Sequence, residues 1–259
     1  MQRRAHISIS VLLAGAALTA CQGDGSKAEP AAGAESSKSA AGASAPAGGS
    51  AVDPLQNEQG TGPGLAPLTS AADLTRARTL IGRVNTKARG PQTGYDRQKY
   101  GPAWTDSVTD VPFGRNSCDT RDDILKRDGQ GTRWKDDKGC VVNTMTLPDP
   151  YSGKDIAFTK AKASAVQIDH VVPLSASWQM GAAQWDADKR RRLANDPLNL
   201  LAVDGPINGG KGDSSPATWL PPNKVVRCSY VVRYAQVSIK YDLPVTDADK
   251  QAMLAQCGG

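Results

Sequence analysis

From residue 22 to about residue 70 the chain is alanine, glycine, serine and proline with scattered charges, as "AAGASAPAGGSA" at 40–51 illustrates. A stretch of that composition buries too little apolar surface to offset the entropy of ordering it. It is expected to be a disordered, flexible tether. Whatever folds must then be built from residues 71–259, a length suited to one domain. There is no internal repeat, so a solenoid or an array is excluded.

The residues before the tether have the order of an export signal. Arg3 and Arg4 precede an apolar run, Ile7–Ala20, that is too short to cross a bilayer comfortably. It ends in "LTAC", Leu18–Cys21, which resembles a bacterial lipobox. That resemblance implies a signal peptide over residues 1–21 and a lipid on Cys21, which would tether the chain without spanning the membrane. The alternative is ordinary cleavage nearby with Cys21 incidental. Either way the protein is expected to be exported, lipid-anchored outside the cytoplasmic membrane or secreted. The net charge of +5 and the pI of about 8.9 favour anionic partners but say nothing about fold.

Export changes the meaning of the cysteines. Setting Cys21 aside leaves Cys118, Cys140, Cys228 and Cys257. An even number in an exported chain implies disulfides, with three pairings open. Cys118–Cys140 and Cys228–Cys257 are favoured because each closes a loop within one segment. A zinc site is the rival. It has no C-x-x-C to build on and one histidine outside the signal, His170.

Periodicity predicts helices at Asp73–Val84 and Asp119–Asp128, the latter with an acidic first turn and a basic later one. "TGYDRQKYGPAWTD" is expected to be irregular. "GCVVNTMTLP", "DIAFTK" and "VQIDHVVPL" have the β-branched content of strands. Between Leu174 and Asp196, Gly181 and a cap at Asp186 suggest two helices, with Trp178 and Trp185 in the core. "LNLLAVD", Leu198–Asp204, has strand length, and "GPINGGKGD" is a tight turn followed by a short helix or loop. "PNKVVRCSYVVRYAQVSIKYDL" and "TDADKQAMLAQC" are expected to be helices, the last capped by Thr246.

The chemistry gathers around His170. It follows Asp169 on a strand, Asn199 opens a second strand, and Asn208 and Lys211 stand three apart after a turn, on one face if that segment is helical. Adjacent strand residues face opposite ways, so Asp169 and His170 need a bulge, a twist or a strand end to serve one site.

"DHVVPLS … NLLAVDGPINGGKGD" resembles the HNH, or ββα-metal, endonuclease motif in its H-N-N form, in which two strands and a helix clasp one divalent cation. With "CDTRDDIL", "QIDHVVPLSASW", "NDPLNLLAVDG", "NGGKGD" and "ATWLPPN", the chain from about Tyr95 to Cys257 is similar to exported bacterial HNH nuclease-like proteins. These are related to the C-terminal nuclease domain of GmrSD restriction enzymes. The resemblance implies an α+β fold, a ββα-metal (HNH) core elaborated with extra helices and two disulfides, over residues 71–259. It implies Asp169 and Asn208 as metal ligands and His170 as general base. Asn199 would hold the loop and the His170 ring. Lys211 would contact phosphate or brace Asp169. Asn208 departs from the older H-N-H pattern.

Oxygen ligands favour a hard cation, Mg²⁺ before Mn²⁺. The chemistry agrees on its own terms. Phosphodiester hydrolysis needs an acceptor for the proton of an attacking water, and a neutral imidazole suits that task. It also needs a positive centre for the phosphate and the leaving oxygen, which an open-sided cation supplies.

Each residue has a plainer alternative. Asp169–His170 would serve as a strand-end salt link, Asn199 as turn chemistry after Pro197, and "NGGKGD" as a loop. "DKRRRL" would be a solvated helix face, and Arg121 a structural partner of nearby acids. Together the residues predict an exported, metal-dependent endonuclease acting on nucleic acid, DNA before RNA, with little sequence preference. A non-catalytic surface lipoprotein that keeps the fold and binds nucleic acid or protein is the alternative.

Overall fold

The computed structural model describes residues 50–259. The export signal, Cys21 and the tether as far as residue 49 lie outside the described residues. No helix among the described residues is long and apolar enough to cross a membrane.

The expected strands form, with one more, but the strand through Asp169 stops at His170 and the one expected from Leu198 starts at Leu200, so Asn199 closes a short turn before that strand instead of opening it. β1 (Gln130–Trp134), β2 (Val142–Pro148) and β3 (Asp155–Thr159) make an antiparallel sheet in sequence order. β1 was not legible: "QGTRW" carries a positive-φ Gly131, and its pairing with β2 is irregular. β4 (Val166–His170) and β5 (Leu200–Asp204) form a separate antiparallel pair, Val166 opposite Asp204 and His170 opposite Leu200. α5 (Gly205–Lys211) follows β5 directly, so β4, β5 and α5 make a ββα unit. The N-terminal side contributes α1 (Ala71–Gly82) and α2 (Thr120–Asp128). Between β4 and β5 run α3 (Leu174–Gln179) and α4 (Ala187–Asn195). α6 (Arg227–Tyr241) and α7 (Asp247–Gln256) close the chain.

The uninterrupted apolar run of β5 follows from burial on both faces. Alternate residues enter different cores. Leu201 and Val203 join α6, α1 and α3 in the larger one. Leu200 and Ala202, with Val166 and Ile168 of β4, join Ile124 and Leu125 of α2 and Met145, Leu147 and Phe158 of the three-stranded sheet. The two-stranded pair is thus the wall between the cores, and its residues are fixed from both sides.

Helix ends match their side chains. The Asp186 carboxylate accepts from Lys189 N at 2.6 Å and starts α4 after the break at Gly181. Thr246 and Asp249 form a reciprocal capping box at α7. Cys118–Cys140 ties the lead-in of α2 to the β1–β2 connection, and Cys228–Cys257 ties α6 to the end of α7.

One expectation fails. Residues 51–68, placed in the tether, pack onto the domain. Leu65 and Leu68 are buried in the larger core. Gly64 N donates to Asp128 Oδ1, Gln236 Nε2 to Pro54 O and Ser229 Oγ to Ala66 O. Gly60, at φ +70°, lies so close to Leu198 that a Cβ would meet backbone at 2.4 Å. The physical reason is that a few well-spaced apolar residues, Leu55, Leu65 and Leu68, suffice when the glycines between them allow the backbone to lie flat on its neighbours.

Candidate active site

The segment before β5 builds the site. The Asp196 carboxylate accepts from Leu198 N and starts a short turn, Pro197–Asn199. Asn199 is wholly buried. Its Oδ1 accepts from Val172 N at 2.8 Å, and its Nδ2 donates to Val172 O and Leu193 O. It therefore staples the chain leaving β4 to the end of α4. Its side chain makes no hydrogen bond to the His170 ring. The next residue of α4, Ala194, does that work: its carbonyl lies 2.9 Å from His170 Nε2. The ring contact expected of Asn199 is made instead by the Ala194 carbonyl, and the Asn199 side chain bonds only backbone of Val172 and Leu193. Trp104 stacks on the His170 ring, with centroids 5.6 Å apart and the planes only 9° from parallel.

The carbonyl fixes the tautomer. A carbonyl oxygen only accepts, so Nε2 must carry the proton and Nδ1 keeps the lone pair. Burial pushes the His170 pKa down to about 3, with the nearby Arg97 and Lys211 charges acting the same way and the Ala194 bond opposing. The ring is neutral at ordinary pH.

Asp169 faces the other way, as strand geometry requires. Its Oδ1 takes the Lys211 ammonium at 2.8 Å and its Oδ2 the Tyr151 hydroxyl at 2.5 Å. Lys211 Nζ also donates to His170 O at 2.7 Å. Burial raises the Asp169 pKa and lowers that of Lys211, while their contact pulls each back toward its charged form. Burial, with Asp169 beside it, holds Tyr151 protonated. Asn208, three residues before Lys211 on α5, donates from Nδ2 to Gln167 Oε1 at 2.9 Å. Gln167 and Asp169 share a face of β4, so α5 addresses that face twice.

Both faces meet one cleft because His170 is the last residue of β4. The cleft, about 420 Å³, is lined by Asp169, His170, Asn208, Gln167, Tyr95, Arg97, Trp104, Arg121 and Asp213, among others. Asn199 and Lys211 lie behind its wall. A larger recess of about 520 Å³ between α1 and α6 has Glu58 as its one carboxylate and no histidine in its lining, and so offers no such chemistry.

A divalent cation of the kind HNH-type nucleases generally use fits these residues sparsely. Each Asp169 oxygen keeps a lone pair beyond its one donor, and the Asn208 amide oxygen is left over by the bond to Gln167. Among the described residues no three His, Cys, Asp or Glu side chains form a metal-sized group.

Tyr95, Arg97, Trp104 and Tyr151 were not expected at the site. The first three sit in "TGYDRQKYGPAWTD", an irregular stretch where aromatics are interleaved with basic residues. That interleaving was the available signal.

Residues 119–256 match the model of the family described as GmrSD restriction endonucleases, C-terminal domain. An uncharacterized secreted protein of Arthroderma benhamiae is 38% identical over 194 residues, which cover 73% of this chain and 88% of that one. No solved structure matches. The match spans β4, β5 and α5 and every expected site residue, and with it the chain belongs to the family of the C-terminal domain of GmrSD restriction endonucleases, a family of nuclease domains.

Proposed function

We propose that the protein is an exported, metal-dependent endonuclease that hydrolyses phosphodiester bonds of DNA with little sequence preference. The observation that carries this is the His170 imidazole, locked by Ala194 on one nitrogen and lining a cleft shared with Asp169 and Asn208. The similarity to a secreted protein and the two disulfides support export. Lipid attachment at Cys21 remains part of the proposal.

In this reading His170 Nδ1 takes the proton of the attacking water. Its ring is fixed before substrate arrives, so little reorganisation accompanies the transfer. Asp169 and Asn208 would hold Mg²⁺, or Mn²⁺ in its place. When bound, the ion supplies positive charge to the scissile phosphate and the leaving oxygen. Lys211 and Tyr151 orient the Asp169 carboxylate. Asn199 fixes the loop that follows His170. Arg121 reaches the cleft but donates to Ala163 O and Val166 O, which anchors it at the start of β4.

The test is incubation of the protein with plasmid DNA and with RNA, in Mg²⁺, in Mn²⁺ and in EDTA. Nicked or linear DNA in either metal and intact plasmid in EDTA are expected. Intact DNA and RNA in every metal, from a folded oxidised protein, would favour a binding role instead.

A further inference from the structure

The family match begins at residue 119, yet one wall of the cleft comes from residues 95–104. On that wall Arg97 opens the short turn Arg97–Tyr100 and is exposed. It lines the main cleft with His170, and also a small adjoining hollow with His170, Trp104 and Asn195. Its basic neighbours are engaged elsewhere. Arg190 donates to Lys99 O and Trp185 O, Arg191 pairs with Asp188, and Lys99 lies over the Trp178 ring. Asp96, beside Arg97 in sequence, caps Gln98 N. Among the described residues Arg97 has no carboxylate within ion-pair distance.

Arg97 and Arg121 mark opposite ends of β4. Arg121 is bonded to Val166 O at its start, and Arg97 shares a hollow with His170 at its end. Four residue steps of a strand separate those ends by roughly 13 Å. The reacting centre at Asp169 and His170 lies toward the Arg97 end.

We propose that Arg97 is a substrate-binding residue that contacts a backbone phosphate of the nucleic acid next to the scissile one, at the His170 end of the cleft. A guanidinium that makes no ion pair among the described residues and lines the cleft beside the proposed general base is free to bond a phosphate anion. Such a contact carries no base information, in keeping with low sequence preference. The inference rests on the nuclease reading and adds a contact from outside the segment that the family match covers.

The experiment separates binding from cleavage. Binding of a short fluorescein-labelled DNA duplex is followed by anisotropy on the His170→Ala chain in Mg²⁺, with and without Arg97→Ala, across a salt series. Cleavage by the otherwise unaltered chain is measured in parallel with Arg97→Ala and Arg97→Lys. Loss of Arg97 should weaken binding roughly tenfold. It should also flatten the slope of log affinity against log salt by about one. In the active chain KM should rise more than kcat falls, and Arg97→Lys should recover part of the loss. Unchanged affinity and slope, in a protein that does cleave, would overturn the role of Arg97 alone. No cleavage by the unaltered chain and no duplex binding would overturn the nuclease reading and this inference with it.

Discussion

Lys211 is the side chain whose position says most about the site. It is 1% exposed in the core beneath the cleft, where its Nζ donates to Asp169 and to the His170 carbonyl. Removing one partner of a buried pair leaves the other uncompensated, at a cost of about 3–5 kcal/mol, whereas replacing both by neutral groups is often tolerated. Lys211→Ala should therefore destabilise the domain by that order. The double variant Asp169→Asn with Lys211→Met should recover most of the stability but cleave no DNA. Urea denaturation beside plasmid cleavage checks both. Activity in the double variant would mean that the carboxylate is not needed. The sequence made Lys211 a candidate but left phosphate contact and bracing of Asp169 open, because spacing along a helix does not reveal which residue goes under the strand.

At the level of elements, the long lead-in to α2 carries an unusual concentration of backbone effort. Trp104, Asp110, Phe113, Arg115 and Ser117 all have positive φ, and Cys118–Cys140 closes the segment. Asn116 Nδ2 donates to Asp123 Oδ1 in the first turn of α2, while Asp123 Oδ2 is buried without a partner. Burial, with Asp106 and Asp119 adding to it, pushes the Asp123 pKa up to about 6. The folded state then holds this proton more tightly than the unfolded chain, so the group favours folding at low pH. That contribution is lost as pH rises from about 4 through about 6, by up to about 3 kcal/mol. Asp123→Asn should raise stability at pH 7.5 and leave it nearly unchanged at pH 4. Thermal unfolding at both values tests this, and an equal shift at both would contradict it.

The N-terminal arm is a second case. A chain beginning at Ala71 loses the burial of Leu65 and Leu68, each worth about 2 kcal/mol. It also strips partners from the buried Arg127–Asp128 pair, which bonds Gly60 O and Gly64 N. Against the same domain beginning at residue 50 it should be less stable by about 5 kcal/mol or more, enough to unfold a typical domain. Equal melting temperatures would show that the arm is dispensable. Composition averaged over residues 22–70 hid this arm. The averaging window was dominated by alanine and glycine, and the leucines at its end were too few to change it.

Across the whole molecule, the parts written in local pattern were legible. β4 and β5 follow from β-branched content and apolar runs of strand length, α1 and α2 from helical spacing, α4 and α7 from the caps at Asp186 and Thr246, and both disulfide pairings from local loop closure. The ordered set around His170 carries the family resemblance in local sequence alone. What stayed hidden was long-range. Trp104 reaches His170 across 66 positions of sequence, and Tyr151 reaches Asp169 across 18. No local periodicity encodes such contacts. The strand-end position of His170, which lets residues of opposite faces share a cleft, depends on where pairing with β5 stops.

The proposed role of His170, held by the Ala194 carbonyl, is general base of a metal-dependent nuclease. It is tested most directly by plasmid cleavage in Mg²⁺ by the unaltered chain and by His170→Ala, each repeated in EDTA and each shown to be folded by circular dichroism. We predict cleavage by the unaltered chain that EDTA abolishes, and a loss of at least about a hundredfold in the variant. A folded His170→Ala variant that cleaves at the unaltered rate would contradict the assignment.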